Sequence, residues 1–185
     1  MAELLLELYS EEIPPQLQIN ARNQLKIFLE KSFKEMNIDS GNIFTFSSPT
    51  RLTLYIKDLP TQIKTAEKEV RGPKVDSENK IIEGFINAKN VLRENLFKKN
   101  TDKGTFFYIK EEAKNISVEE LIKEIIPKSL ISIGWNKSMK WSNFNLMWGR
   151  PLRSIFSIFN KKKISFKFNH LEADDKVIIE QDLGF

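Results

Sequence analysis

The sequence predicts an α+β fold with a mixed β-sheet, about three main helices and two lobes, residues 1–73 and 74–185, that divide near Pro73. Three observations carry this expectation. Residues 3–9, ELLLELY, form a short apolar run that suits a buried strand, although its leucines also suit a helix. Leu17, Ala21, Leu25, Phe28, Leu29, Phe33 and Met36 then recur at three- and four-residue steps, which is one apolar stripe on a helix. Farther on, Leu52, Leu54 and Ile56 alternate with Thr53, Tyr55 and Lys57, the period of a half-buried strand.

Taken in order, Ile13-Pro14-Pro15 closes the first run and opens the first helix, and Asp39-Ser40-Gly41 stops that helix. Residues 42–59 read as a β-hairpin turning at Ser47-Ser48-Pro49. Residues 61–70 are polar and show no clear period, and Arg71-Gly72-Pro73 reads as a loop because a residue before proline avoids the helical region. A helix follows over 80–92, then a Lys103-Gly104 turn and a strand over 106–109. Ser117-Val118-Glu119-Glu120 has the form of a capping box. The helix that it opens carries Leu121, Ile122, Ile125 and Ile126, must kink or divide at Pro127, and ends by Gly134. Strands are expected over 144–148, 155–159 and 164–168, the last two joined by a tip, Asn160-Lys161-Lys162-Lys163, that exposes three ammonium groups. Leu4, Leu6, Leu8, Leu25, Phe28, Leu29, Leu54 and Ile56 should share one core.

Composition excludes much chemistry. The chain has 185 residues, 41% hydrophobic and 29% charged, and a domain of this size buries about 70% of its unfolded surface without needing a staple. There is no cysteine, which removes disulfides, thiolate metal sites and cysteine nucleophiles together. A single histidine, His170, leaves too few imidazoles for a histidine-built metal site and reads as structural. Seven scattered glycines never fall at the spacing of a phosphate loop. The pairs Glu11-Glu12 and Glu119-Glu120 suit helix N-termini better than acid–base work, and Asp174-Asp175 reads as a turn, not a calcium loop. No apolar stretch approaches the roughly 20 residues that span a bilayer, and the N-terminus is acidic. The expectation is a cytoplasmic protein with no membrane partner and no catalytic, cofactor or metal residue of its own.

Charge is segregated along the chain. The overall balance is +4. Residues 125–171 hold nine cations and no acid, which leaves −5 for the rest. That segment also carries all three tryptophans, Trp135, Trp141 and Trp148. Cations neutralise phosphates and aromatic faces stack on bases, so their interleaving suits RNA. It suits equally a core of aromatics under a solvated lysine face, and both readings stand. Lys137-Ser138-Met139-Lys140 has the look of a synthetase signature loop, but its residue order differs and no histidine motif precedes it.

Several landmarks, in order, resemble the N-terminal part of the β subunit of bacterial heterotetrameric glycyl-tRNA synthetase. They are Leu4–Leu8 with Ser10-Glu11-Glu12-Ile13-Pro14, Ser48-Pro49-Thr50-Arg51-Leu52, Arg71-Gly72-Pro73, Gly84-Phe85, Lys137–Trp141, and Arg150-Pro151-Leu152-Arg153. Thr50 stands where the family has arginine, and residues 176–185 lack the family's Gly-His-Arg motif. By this resemblance the 185 residues are expected to lack the family's HD-like and anticodon-binding regions. The resemblance implies ATP-dependent joining of glycine to tRNA, with ATP and magnesium in a partner α subunit and tRNA handling in β, as a heterotetramer. No active site is expected here. Arg51, Arg71, Arg150 and Arg153 are the phosphate candidates because guanidinium geometry fits phosphate, with Lys140 and Trp141 beside them. The competing expectation is a non-catalytic structural docking module without direct RNA contact.

Overall fold

The computed structural model describes residues 1–178. The α+β class is the one found, but the chain divides elsewhere than at Pro73. Residues 1–63 and the chain from 116 onward form one unit, and residues 64–115 form a second, inserted one. The expected lobes 1–73 and 74–185 are corrected on this point. The cause is a long-range strand pairing that places Leu8 opposite Ile155 and returns the late part of the chain to the first unit.

In the first unit, β1 (Ala2–Ser10) is the central strand. Its leucines form a strand and not a helix. Ala2, Leu4, Leu6 and Leu8 are buried while Leu5, Glu7 and Tyr9 are half-exposed, the alternation of a sheet with one solvated face. Antiparallel neighbours complete a sheet ordered β10 (Lys162–Lys163), β9 (Leu152–Phe159), β1, β3 (Arg51–Leu59), β2 (Ile43–Ser48). The two helices α1 (Pro15–Glu35) and α3 (Val118–Ile131) contribute Leu17, Leu25, Leu29, Phe33, Ile122 and Leu130 to the same core. Phe28 is only half-buried, at the edge of the stripe; Phe33 takes the buried place expected of it. Helix α1 ends before the anticipated stop, where Asn37 turns left-handed (φ 54°) and the Ile38 amide donates back to the Phe33 carbonyl at 2.8 Å.

Several local expectations need correction. Ser47 and Ser48 belong to β2, so the hairpin turns on Pro49-Thr50. Ser117 makes no side-chain cap; it closes the short strand β8 (Asn115–Ser117), which pairs with β4 (Gln62–Lys64), and the Val118 amide is satisfied by the Thr61 carbonyl at 3.0 Å. Of the two outcomes expected at Pro127, division does not occur: α3 continues through it as one helix, with only the last turn beyond it and Ile126 and Leu130 burying that turn. Residues 144–148 make no strand, only one bridge from Trp148 to Met139. The lysine tip is a two-residue turn, Asn160-Lys161, with both φ angles positive, which leaves Lys162 and Lys163 in β10. Of residues 164–168, Lys167–Phe168 (β11) pairs with Leu171–Glu172 (β12). The end whose sequence diverges, from residue 179, lies outside the described residues.

The second unit is a three-stranded antiparallel sheet, β5 (Lys68–Lys74), β7 (Gly104–Glu111), β6 (Leu96–Thr101), with helix α2 (Asn79–Lys89). Arg71-Gly72-Pro73 is therefore strand, not loop. Proline is tolerated because β5 is an edge strand whose register shifts between Arg71 and Lys74. Helix α2 stops earlier than residue 92, at a left-handed Asn90 (φ 50°). Among the described residues no helix is long and apolar enough to cross a membrane.

Candidate nucleic-acid interface

Three of the motif-like segments meet at one end of the central sheet. The Ser10 amide donates to the Thr50 carbonyl at 2.9 Å, Glu11 to Pro151 at 2.9 Å and Ile13 to Pro49 at 2.6 Å. Two arginines clasp this junction. Arg51 donates to Glu7 Oε1 and to the Ile178 carbonyl, with its guanidinium carbon 4.7 Å from the Tyr9 ring centre. Arg153 donates to Glu11 Oε1 through Nε at 2.8 Å and again through a terminal nitrogen. The Arg51 and Glu7 side chains keep 22% and 20% exposure, against 47% and 45% for Arg153 and Glu11. Both guanidinium charges are answered within the chain, and both lie beside β1 because β3 and β9 flank it.

Arg150 has a different setting. It is half-buried, donates to the Gly149 carbonyl at 2.8 Å, and has no carboxylate partner among the described residues. The loop around it is held by aromatics. Trp135 and Trp148 lie 4.9 Å apart, and Trp148, fully buried, meets Phe168 edge-on at 5.7 Å. These two indoles are packing residues, as the core reading of the segment has it. Trp141 is half-exposed: it meets His170 edge-on at 5.9 Å, and Phe144 stacks on the other ring at 3.6 Å with only 8° between planes. His170 is thus held by aromatic contacts and by Asn169 Oδ1, 3.2 Å from its Nδ1. Lys140 is exposed, next to the bridge between Met139 and Trp148.

Of the nine cations in residues 125–171, three pair with acids outside that segment: Lys128 with Glu124, Arg153 with Glu11 and Lys163 with Asp174. Lys163 therefore does not present the free ammonium expected at the tip. Its 2.7 Å bond, with the Asp175 amide, holds the Asp174 carboxyl down at about 2. The other six, Lys137, Lys140, Arg150, Lys161, Lys162 and Lys167, make no ion pair among the described residues. Sequence reasoning missed the carboxylates: nothing local couples Glu7 to Arg51 or Glu11 to Arg153.

Arg71 belongs to the second unit, on β5. It is exposed, and its guanidinium carbon sits 3.5 Å from the Phe106 ring centre. The next residue explains another motif: a Cβ on Gly72 would come within 2.7 Å of the Phe85 ring, so the glycine makes room for the aromatic that follows Gly84 on α2.

Residues 4–183 match the family model described as glycyl-tRNA synthetase beta subunit. Over 175 residues, or 95% of the chain, the sequence is 36% identical to a glycine–tRNA ligase beta subunit from Rickettsia bellii and 35% identical to one from Rickettsia felis. The matched part is 26% of each relative, so the chain spans about a quarter of their length.

Proposed function

The chain belongs to the glycyl-tRNA synthetase β-subunit family, and on that premise we propose that it contributes tRNA binding and subunit assembly to ATP-dependent glycyl-tRNA synthesis. Adenylate chemistry, with ATP and magnesium, then lies in a partner α subunit, within a cytoplasmic heterotetramer. This chain alone would give no glycine-dependent pyrophosphate exchange. The observation that carries the RNA reading is the set of six cations without ion pairs in the acid-free segment, with the half-exposed Trp141 among them. Unanswered cations release counterions when they meet phosphate, and an exposed indole can stack on a base. Lys140, Trp141, Arg150 and Arg71 are the direct contacts. Arg51 and Arg153 brace the junction that holds Pro151, the residue next to Arg150.

The test is tRNA affinity at two salt concentrations for the chain and for a Lys140→Ala, Arg150→Ala variant, with melting temperatures alongside. Weaker binding with a flatter salt dependence in a folded variant is expected. Unchanged binding would reject these contacts.

A second reading, docking without RNA contact, is favoured by Phe44 and Phe46 on β2, which remain 42% and 56% exposed. It forecasts no salt-dependent tRNA binding, with association to the α subunit lost in a Phe44→Ser, Phe46→Ser variant.

A further inference from the structure

The second unit has one sheet face packed by α2 and one on which Arg71, Lys74, Phe97 and Lys99 are exposed, with Phe106 buried beneath Arg71. Phe85 of α2 lies against Gly72, so the helix packs on that side of β5. Register places Phe97, Arg71 and Tyr108 across from one another, and Lys99 across from Phe106. Side chains opposite each other on neighbouring strands project to the same face, and contacts agree. Phe97 and Tyr108 stack at 6.0 Å, Arg71 lies over Phe106, and Lys99 and Lys74 approach the Tyr108 and Phe106 rings at 5.6 and 5.9 Å. Phe97 keeps 36% exposure on this face.

We propose that this face of β5, β7 and β6 is a stacking platform for unpaired RNA nucleotides, with Arg71, Tyr108 and Phe97 meeting the bases. The proposal rests on the RNA-binding reading and specifies where and in what form RNA would be met. Charge favours that occupant. Residues 64–115 hold twelve Lys and Arg against nine Asp and Glu, so this unit carries +3 of the chain's +4. Arg71 has no carboxylate partner among the described residues; Glu69, which register places on the face, is already bonded to Lys99, and Glu67, just before β5, to Lys110. An apolar protein surface seated here would desolvate Arg71 and Lys74 without supplying anions, a cost that phosphates remove, and the bases attached to those phosphates match the exposed rings as carboxylates do not. Paired bases hide their faces inside a duplex, so stacking on Tyr108 and Phe97 demands a single-stranded segment. The guanidinium, supported from below by Phe106, offers its outer side to a base in the same way.

The test uses the whole chain with three probes: a short single-stranded oligoadenylate, a blunt RNA duplex and intact tRNA. A Phe97→Leu, Tyr108→Leu variant keeps apolar bulk but removes the rings. It should weaken oligoadenylate binding by about tenfold or more, with the salt dependence, the melting temperature and duplex binding unchanged. Arg71→Lys keeps the charge and loses the plane, and should also weaken the single strand selectively. Folded variants that bind oligoadenylate as the parent chain does would overturn the platform. If those variants and the parent all bind tRNA alike, the platform fails and the RNA reading stands; if the parent binds no tRNA, the RNA reading itself fails.

Discussion

The Glu11 carboxylate accepts two hydrogen bonds from Arg153, joining the segment that follows β1 to the start of β9. Arg51, at the start of β3, reaches Glu7 within β1 through one hydrogen bond, in a drier place and with Tyr9 and the Ile178 carbonyl as additional partners. Desolvation decides their relative worth. Arg51→Ala should cost about 1.5–3 kcal/mol, since it strips charge-assisted bonds from a mostly buried site. Arg153→Ala should cost less than about 1 kcal/mol because water screens an exposed pair. Urea unfolding of the two variants checks this order, and a larger loss for Arg153 would contradict it.

The same geometry separates the arginines in RNA binding. Arg150 carries an unanswered charge, so Arg150→Ala should lower the slope of log affinity against log salt by about one counterion. Arg153 is already neutralised by Glu11 and should leave the slope close to that of the parent. Equal effects on slope would show that the Glu11 pair opens when tRNA binds.

How much was legible follows from the range of each interaction. The phase of α1 and the β2–β3 hairpin rest on local periodicity, and their side chains are where that periodicity puts them, Phe28 apart, whereas the leucine run of β1 suits strand or helix and its pairing with β3 and β9 decides between them. The β1–β9 pairing joins segments far apart in sequence, so the division of the chain, and with it the partner of Arg153, had no local signal; the partner of Arg51 came through the β1–β3 pairing, which spans more than forty residues. Strand β6 escaped for another reason: Lys98, Lys99 and Asn100 give it no apolar alternation. At Ser117 a good local motif lost to strand pairing. The aromatic segment split between both readings, with Trp135 and Trp148 in packing and Trp141 at the surface, a distinction that needs three-dimensional burial.

Phe28 and Phe33 test the stripe quantitatively. Phe33 is 1% exposed, so Phe33→Ala should cost about 3–5 kcal/mol. Phe28 keeps water on one side and should cost clearly less. Comparable losses would mean that the stripe is centred nearer Phe28 than the structure has it.

Two glycines make opposite forecasts. A Cβ on Gly149 would clash with the six-membered ring of Trp135, so Gly149→Ala must push that indole off Trp148. Overpacking of this kind costs about 1–3 kcal/mol, and tryptophan fluorescence should change with it. Gly84 lies in α2, exposed and with nothing near its missing Cβ. Gly84→Ala should stabilise that helix by about 0.5–1 kcal/mol. Hydrogen exchange on α2 reads the second effect directly, and faster exchange would refute it.

Lys163 and Asp174 give a pH dependence whose sign can be worked out. Lys163, then the Asp175 amide, hold Asp174 at about 2 against an ordinary 3.8, and the carboxylate in turn raises Lys163 above its ordinary 10.5. A depressed acid stabilises the folded state above its unfolded value and loses that contribution as pH falls through the folded one. A raised lysine contributes below 10.5 and loses its share as pH climbs beyond. The pair therefore acts in full between 3.8 and 10.5 and fades outside that window. Lys163→Met should be less stable than the parent at neutral pH, with the gap closing as pH drops from 3.8 toward 2. Carboxyl NMR supplies the site-specific reading: Asp174 should titrate near 2 in the parent and move toward 3.8 in the variant, short of it because the Asp175 amide remains. An Asp174 that titrates at its ordinary value in the parent would remove the ion pair as the link between β10 and the strand edge beside Phe156.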